Sequence, residues 1–316
     1  YVVLSGLNEN MPAAVQLFEK LLADAQVNKE AYTNMTSDIL KARSDAKLNQ
    51  GQNFSRLMSF AMYGPKSPAT NLLTEAELTN MNPQELVDRI HNQNSYKHRI
   101  LYYGPSSSKD LLATINQYHQ VPAALKDIPA GNEYSYLETP VTKVLVAPYD
   151  AKQIYMAQIS NLDKKYDPAI EPIRALYDEY FGGGMNSIVF QEMRETRGLA
   201  YSAWASIMPP SYLKYPYVLR TQIATQNDKM IDAVTTFNDI INNMPESEAA
   251  FKLAKDGLTN RLRTERIIKG DIIWSYINAQ DLGQNVDPRI KLYNDIQNMS
   301  LKDIVDFQKQ DRKSVV

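Results

Sequence analysis

The second part of the chain repeats the first in the order and spacing of its sequence patterns. The residues NM followed by IVD begin at Asn298, and NM followed by LVD begin at Asn80, which is 218 residues earlier. An apolar pattern of helical period that starts at Met230 likewise matches one that starts at Met11. Because self-similarity at a fixed period marks repeated structural units, we predict two tandem homologous units.

Helical and strand periods alternate along the chain, which is typical of an α+β fold. Strands are predicted at Tyr1–Gly6, His98–Tyr103, Val141–Ala147, Gln153–Ile159 and Tyr215–Ala224, from their β-branched and aromatic residues. Helices are predicted at Met11–Ala25, Lys29–Lys47, Asn53–Met62, Thr74–Leu78, Pro83–Asn92, Ser108–His119 and Pro168–Tyr180. We therefore expect each unit to be an antiparallel β-sheet packed with helices.

A stretch without sustained periodicity, residues 121–136, separates the two units. It holds two prolines and a glycine, so we expect domains at 1–125 and 126–316. Residues 1 to about 120 match only the back half of the unit that begins near residue 138. Residues 312–316 match only residues 97–101, the first part of a segment that continues to Gly104. We expect both ends of the sequence to be cut.

The composition excludes several classes of function. Hydrophobic residues make up 44% of the chain and charged residues 22%, with a net charge of −2, as in an ordinary globular protein. No basic run offers a surface for phosphates, so nucleic-acid binding is not expected. No segment approaches the roughly 18 apolar residues of a membrane span.

Cysteine is absent, which excludes disulfides, thiolate zinc sites and a cysteine nucleophile. Its absence is compatible with a reducing cytosol and with a bacterial envelope protein built without disulfides. The compartment stays open on this argument, with the bacterial periplasm or cell envelope favoured over the cytoplasm.

The stretch Phe181–Ser206, which reads FGGGMNSIVFQEMRETRGLAYSAWAS, predicts a short helix followed by a strand. The glycines at Gly182, Gly183 and Gly184 free the backbone, and Asn186 is suited to cap the helix that follows. Gly198 stands where a left-handed residue would end that helix. Beyond it the pattern alternates, so a strand is expected to present Tyr201 close to Arg194.

This stretch resembles the C-terminal-half signature of the insulinase-like (pitrilysin, M16) zinc metallopeptidases, in which R…GLAY follows a glycine-containing helix entry. The resemblance implies that Arg194 and Tyr201, seven positions apart, bind the substrate backbone near the scissile bond. It also allows Gly182, Gly183 and Gly184 to lie along the substrate cavity. The structural alternative is that Arg194 covers a helix C-terminus and Tyr201 is half-buried on a sheet.

The family resemblance also implies a fold and a function for the whole chain. The expected fold is M16-like (LuxS/MPP-like), with residues 1–125 as the back half of a third domain and 126–316 as the fourth. The expected function is the non-catalytic C-terminal half of a zinc endopeptidase. This half would close over a peptide or unfolded polypeptide held against a zinc-bearing N-terminal half, in cis or as a partner subunit in trans. The alternative is a catalytically inactive subunit of the same fold that serves as a structural or interaction partner.

The catalytic motif of that family, H-x-x-E-H, has no counterpart in this chain. The three histidines, His91, His98 and His119, lack the spacing that would place two of them on one helix face. We interpret them as surface or capping residues and expect no zinc site and no peptidase activity in this chain alone. An exposed strand edge in the second unit could still bind an unfolded substrate as an added strand.

Overall fold

The computed structural model describes residues 1–311, so the strand predicted to begin at 312–316 lies outside the described residues. The helices of the first part are α1 (Met11–Ala23), α2 (Lys29–Lys47), α3 (Gln50–Tyr63), α4 (Glu75–Asn80), α5 (Gln84–Asn92) and α6 (Ser108–Tyr118). The second part contains β1 (Gln153–Lys165), α7 (Glu171–Phe181), α8 (Ile188–Phe190, continued by a π-helical turn at Gln191–Thr196), β2 (Ser202–Met208) and β3 (Pro216–Gln226). It ends with α9 (Met230–Asn242), α10 (Glu248–Thr264), α11 (Gly270–Asp281), α12 (Pro288–Ile296) and α13 (Leu301–Asp311).

The chain divides into two compact units that do not follow a single cut in the sequence. One unit consists of Tyr1–Leu48 with Leu72–Glu133, and the other of Asn49–Asn71 with Tyr134–Val316. Helix α3 therefore packs with the second unit, although it lies within the first part of the chain. The predicted domains at 1–125 and 126–316 stay a prediction.

The first unit is a small group of helices, in which α1 contacts α5 and α6, and α2 contacts α4. Arg43 on α2 donates a hydrogen bond of 2.6 Å to the carbonyl of Leu73, just before α4. A single parallel bridge joins Tyr96 to Lys126, and no strand forms among the described residues of this unit. Its core is correspondingly thin.

The buried positions of the first unit reappear in the second at the spacing predicted from the sequence. Within the described chain, four side chains of the first unit are buried, and each lies 218 residues before a buried residue of the second unit. The pairs are Val15 and Ala233, Thr36 and Ala254, Leu78 and Ile296, and Val87 and Val305. The five helices α1–α5 also match α9–α13 in order. The repeat is therefore present in the packing as well as in the sequence.

The second unit is built on an antiparallel sheet with the strand order β1-β3-β2. Strand β3 pairs with β1 from Gln153↔Gln226 onward and with β2 from Ser202↔Ala224 to Met208↔Val218. Alternate residues of the central strand, including Thr221 and Ile223, are buried on the core face. Helices α7, α9, α10 and α13 supply most of the remaining core, with residues such as Leu176, Phe237, Leu258 and Ile304. The predicted α+β class with an antiparallel sheet is confirmed.

Three predicted strands are wrong in the described structure: Tyr1–Gly6, His98–Tyr103 and Val141–Ala147 lie outside regular secondary structure. An antiparallel sheet in each unit was expected, and the structure forms one only in the second. Composition favours a strand, but a strand persists only when a neighbour satisfies its backbone groups. Val144, for example, is 84% exposed and belongs to no strand. By contrast, α2 spans Lys29–Lys47 as predicted.

Candidate functional site

The helix that carries Arg194 is capped by Ser187 rather than by the predicted cap, Asn186. The Ser187 hydroxyl accepts a hydrogen bond of 3.4 Å from Phe190 N and donates one of 2.6 Å to the carbonyl of Gly184. The helix then widens into the π-helical turn Gln191–Thr196, which holds Arg194 in its last turn. Such turns occur frequently at functional sites.

Gly198 turns the chain from this helix into the strand that carries Tyr201. Its φ is +56°, a left-handed conformation that glycine adopts without steric cost, so the predicted helix end is correct. Leu199 N donates a hydrogen bond of 2.8 Å to the carbonyl of Met193, which folds the chain back on the helix. Tyr201 N then donates to the carbonyl of Ala224 at 2.9 Å, where the pairing of β2 with β3 begins.

The structure brings Arg194 and Tyr201 together at the surface. The guanidinium carbon of Arg194 lies 5.3 Å from the centre of the Tyr201 ring and 5.1 Å from the centre of the Phe190 ring. Among residues 1–311, one weak ion pair joins Arg194 to Glu195 at 3.4 Å, and the Arg194 side chain is 44% exposed. Tyr201 is 72% exposed, so it is not the half-buried sheet residue of the structural alternative. Phe190, the second ring against Arg194, was not among the predicted site residues.

The three glycines before this helix differ sharply in their surroundings. A Cβ at Gly182 would lie 2.3 Å from the carbonyl oxygen of Ala205, and one at Gly183 would lie 2.7 Å from the carbonyl oxygen of Asp178. A Cβ at Gly184 would meet no atom of the described residues within 4 Å. Neither Gly182 nor Gly183 has a positive φ, so close packing explains these two glycines better than backbone freedom does.

The edge of β2 next to these glycines is closed by α7. Asp178 accepts hydrogen bonds from Ile207 N at 2.8 Å and from the Ser206 hydroxyl at 2.9 Å. Arg174 donates to the carbonyl of Ile207 at 3.1 Å and forms an ion pair with Asp178 at 2.7 Å. The expectation of an open strand edge for an added substrate strand is therefore wrong at this part of β2.

Burial raises the pKa of Asp178 to about 6, although Arg174 and the two hydrogen-bond donors at Ile207 and Ser206 favour its charged form. Burial also raises the pKa of Tyr217, whose hydroxyl donates a hydrogen bond of 2.5 Å to Glu171. Glu171 pairs in turn with Arg174, so these groups form one partly buried network that fixes α7 against the sheet. The network is structural, because its charges are paired with one another.

The face of the sheet opposite the core presents residues that the sequence patterns did not single out. Arg220 lies directly opposite Ser206 on β2 and Ile159 on β1. Its guanidinium carbon lies 5.3 Å from the centre of the Trp204 ring, and the Arg220 Nε atom is buried without a hydrogen-bond partner. The only sequence signal would have been an arginine in the middle of a strand otherwise rich in apolar residues.

The histidines lie in the first unit. His91 Nε2 lies 3.0 Å from the carbonyl of Ala25, in agreement with a surface position. His119 is not a surface residue: its side chain is 12% exposed, and its Nδ1 lies 2.6 Å from Glu19. His98 Nε2 lies 2.8 Å from His119 Nε2. Among residues 1–311, no group of three or more histidine, cysteine, aspartate or glutamate side chains is arranged to hold a metal ion.

The fold agrees with what comparison of the sequence shows. The family described as the peptidase M16 inactive domain matches residues 100–258, which is half of the chain. No curated protein matches the chain in sequence. The described part of the chain contains no helix with both the length and the apolar character to cross a membrane.

Several solved structures share this fold. The peptidase M16 inactive domain from Pseudomonas fluorescens is similar with a TM-score of 0.65 and 16% identity, over 94% of this chain and 71% of that one. The periplasmic protease PqqL from Escherichia coli is similar with a TM-score of 0.67 and 14% identity, over 96% of this chain and 33% of that one. The ferredoxin protease FusC, solved in complex with Arabidopsis ferredoxin, gives a TM-score of 0.60 and 12% identity, over 95% of this chain and 33% of that one.

The fold is a helix-rich α+β fold, and the sequence contains no H-x-x-E-H motif. The chain belongs to the M16 peptidase family, as an inactive domain. It spans about a third of the length of PqqL and FusC.

Proposed function

We propose that this chain is the non-catalytic half of an M16-type zinc endopeptidase and that it binds the polypeptide substrate through Arg194 and Tyr201. The observation that carries the proposal is the exposed contact between these two side chains, 5.3 Å from guanidinium carbon to ring centre. Both residues are positioned by backbone features of the chain, the π-helical turn and the positive φ of Gly198.

The chemistry of the pair suits a peptide carbonyl. Arg194 offers charge-assisted hydrogen bonds, and its one ion pair, with Glu195 at 3.4 Å, leaves most of its donors available. Tyr201 offers a phenol hydroxyl on an exposed ring. Stacking on Phe190 and Tyr201 limits the rotation of the guanidinium, so less conformational entropy is lost when it binds a carbonyl. Hydrogen-bond donors at this position would stabilise a carbonyl oxygen that gains negative charge during hydrolysis.

Zinc belongs to the other half of the enzyme in this proposal. Since the described residues hold no group of three or more metal-ligating side chains, the activated water would come from a zinc-bearing half in cis or in a partner subunit. The substrate class is a peptide or unfolded polypeptide. The complex of FusC with ferredoxin supports a protein substrate for a similar fold.

The test is the kinetics of the assembled two-half enzyme on a fluorogenic peptide. A hydrogen bond to a charged group contributes roughly 1.5 to 3 kcal/mol, so Arg194→Ala should lower kcat/KM by about ten- to a hundredfold. Tyr201→Phe should lower kcat/KM by a smaller factor, because the phenylalanine ring still stacks on Arg194. Arg197→Ala is the matched control, since Arg197 is 49% exposed in the same turn and pairs only weakly, with Glu192 at 3.4 Å.

Thermal stability separates a binding role from a structural one. Neither Arg194 nor Tyr201 is buried, so both variants should unfold at the wild-type temperature. If neither Arg194→Ala nor Arg197→Ala changes kcat/KM, the result would contradict the proposal. It would favour the inactive structural subunit instead.

A further inference from the structure

Arg220 has an environment that its role in the sheet does not explain. It lies in the middle of β3 on the face opposite the core, because its neighbours Leu219 and Thr221 alternate with it and Thr221 is fully buried. Its guanidinium stacks on the indole of Trp204 at 5.3 Å from carbon to ring centre. This stacking fixes the plane of the guanidinium.

The hydrogen-bond donors of Arg220 are unused in the described structure. Its Nε is buried without a partner, and no hydrogen bond or ion pair joins its guanidinium to another group among residues 1–311. Arg174, another partly buried arginine of this unit, behaves differently, since it pairs with Glu171 at 2.9 Å and with Asp178 at 2.7 Å. A buried donor without an acceptor is costly, which makes Arg220 an exception that needs a ligand or a solvent partner.

The surroundings of Arg220 indicate what that ligand would be. Its planar fork of donors matches a carboxylate in a bidentate arrangement. Trp204 adds an apolar wall, and Gln222, directly opposite Trp204 in the sheet, adds an amide. All three side chains are only partly buried, so a ligand can reach them. One arginine beside an indole suits a carboxylate on a polypeptide better than a phosphate, for which arginines are usually clustered.

We propose that Arg220 and Trp204 form a carboxylate-binding site on the outer face of the sheet, which takes an acidic side chain or the C-terminal carboxylate of a bound polypeptide. The proposal rests on the peptide-binding function proposed above and adds a preference for negative charge to it. Arg220 supplies the two hydrogen bonds, and Trp204 holds the guanidinium in the orientation that makes them.

The fluorescence of Trp204 can report binding at this site, because Trp204 and Trp274 are the two tryptophans of the chain and Trp274 can be replaced. In the full chain carrying Trp274→Phe, the fluorescence of Trp204 is titrated at constant ionic strength with three N-acetylated peptides of one apolar sequence. One ends in a free carboxylate, one is amidated, and one is amidated with an internal glutamate. We expect a saturable change with a carboxylate peptide and at least about tenfold weaker binding of the neutral amide, as for loss of a charge-assisted hydrogen bond.

Variants at Arg220 test whether the site causes that preference. Arg220→Met should remove the discrimination between acid and amide, and Arg220→Lys should reduce it, because lysine keeps the charge but loses the planar fork. Arg261→Met removes one charge from a 53% exposed arginine and is the control for non-specific attraction, so it should retain the preference. If circular dichroism shows that Arg220→Met does not fold, the test depends on Arg220→Lys, which should show a smaller preference for the acid than the wild type.

The outcomes separate this site from the proposed function. Binding of the internal-glutamate peptide but not the free acid would assign the site to acidic side chains, and the reverse would assign it to the C-terminus. Three results would contradict the proposed site. They are equal binding of the acid and amide peptides, a preference for the acid that persists in Arg220→Met (or in Arg220→Lys, if Arg220→Met does not fold), and the absence of a saturable signal with either carboxylate peptide. Arg194→Ala should lower hydrolysis of acidic and neutral substrates by the same factor. If it changes nothing while Arg220→Met removes discrimination, the carboxylate site stands and the proposed function fails.

Discussion

Replacement of Gly182 by alanine should separate α7 from the edge of β2. The new Cβ would lie 2.3 Å from the carbonyl oxygen and 2.4 Å from the nitrogen of Ala205, both backbone atoms held in the sheet. To restore van der Waals contact, the two elements must move apart by roughly 1 Å, since a packed interior leaves no space to absorb a methyl group. Such a displacement also strains the hydrogen bonds that Asp178 makes at Ile207.

The expected cost follows from these two effects. Overpacking of this kind costs about 1 to 3 kcal/mol, and each weakened hydrogen bond adds about 1 kcal/mol. We therefore expect Gly182→Ala to lower the free energy of unfolding by about 3 kcal/mol, which corresponds to a decrease of roughly 6 to 12 °C in Tm for a unit of this size. Urea denaturation followed by circular dichroism measures the first quantity, and differential scanning calorimetry the second.

The neighbouring glycines provide matched controls. Gly183→Ala should also destabilise the chain, because its Cβ would lie 2.7 Å from the carbonyl oxygen of Asp178. Gly184→Ala should leave stability unchanged or raise it by less than about 1 kcal/mol, since no atom lies within 4 Å and its φ is not positive. Equal Tm values for Gly182→Ala and Gly184→Ala would refute the packing explanation. If Gly184→Ala lowers the peptidase activity of the assembled two-half enzyme at unchanged Tm, that result would instead support the cavity position implied by the family resemblance.

Three further outcomes can be measured with single variants. The pKa of Asp178 is about 6 in the folded state and 3.8 in the unfolded state, so the folded state binds a proton more readily and the free energy of unfolding should rise as pH falls from about 7 to 4. Urea titrations of the wild type and of Asp178→Asn should show that this gain is at most about 3 kcal/mol. His119→Ala should lower the free energy of unfolding of the first unit by about 2 kcal/mol, because Glu19 loses a partner at 2.6 Å; hydrogen exchange in α1 measures this, and unchanged protection would contradict it. Gly198→Ala should cost about 1 to 2 kcal/mol, because φ is +56° there; an unchanged Tm would show that the turn relaxes.

The sequence predicted the elements whose causes are local. Helix α2 needs only its apolar stripe and the Asn28 cap, whose side chain accepts a hydrogen bond from Ala31 N at 2.9 Å, and its predicted bounds are correct. The Gly198 turn also follows from local chemistry. The repeat spacing of 218 residues also predicted which positions are buried in both units, because buried positions such as Leu78 and Ile296 must recur wherever the same helices pack.

The failures concern features that depend on distant parts of the chain. Val141–Ala147 has the composition of a strand, but composition does not reveal whether a neighbouring strand is present to pair with it. The role of Gly182 depends on Ala205, which lies 23 positions later and approaches only after β2 joins the sheet. The unused donors of Arg220 likewise become visible only when the register of β2 and β3 shows which side chains surround it.

The π-helical turn at Gln191–Thr196 makes the meeting of Arg194 and Tyr201 depend on the number of residues between Ser187 and Gly198, and not only on which residues they are. A π-helical turn accommodates one residue more than an α-helix does over the same length. Deletion of one residue within it would restore the α-helical ladder and rotate every preceding side chain by about 100° relative to those that follow. A homologous chain with one residue fewer between this arginine and Gly198 would therefore keep both residue types but turn the arginine side chain away from the tyrosine.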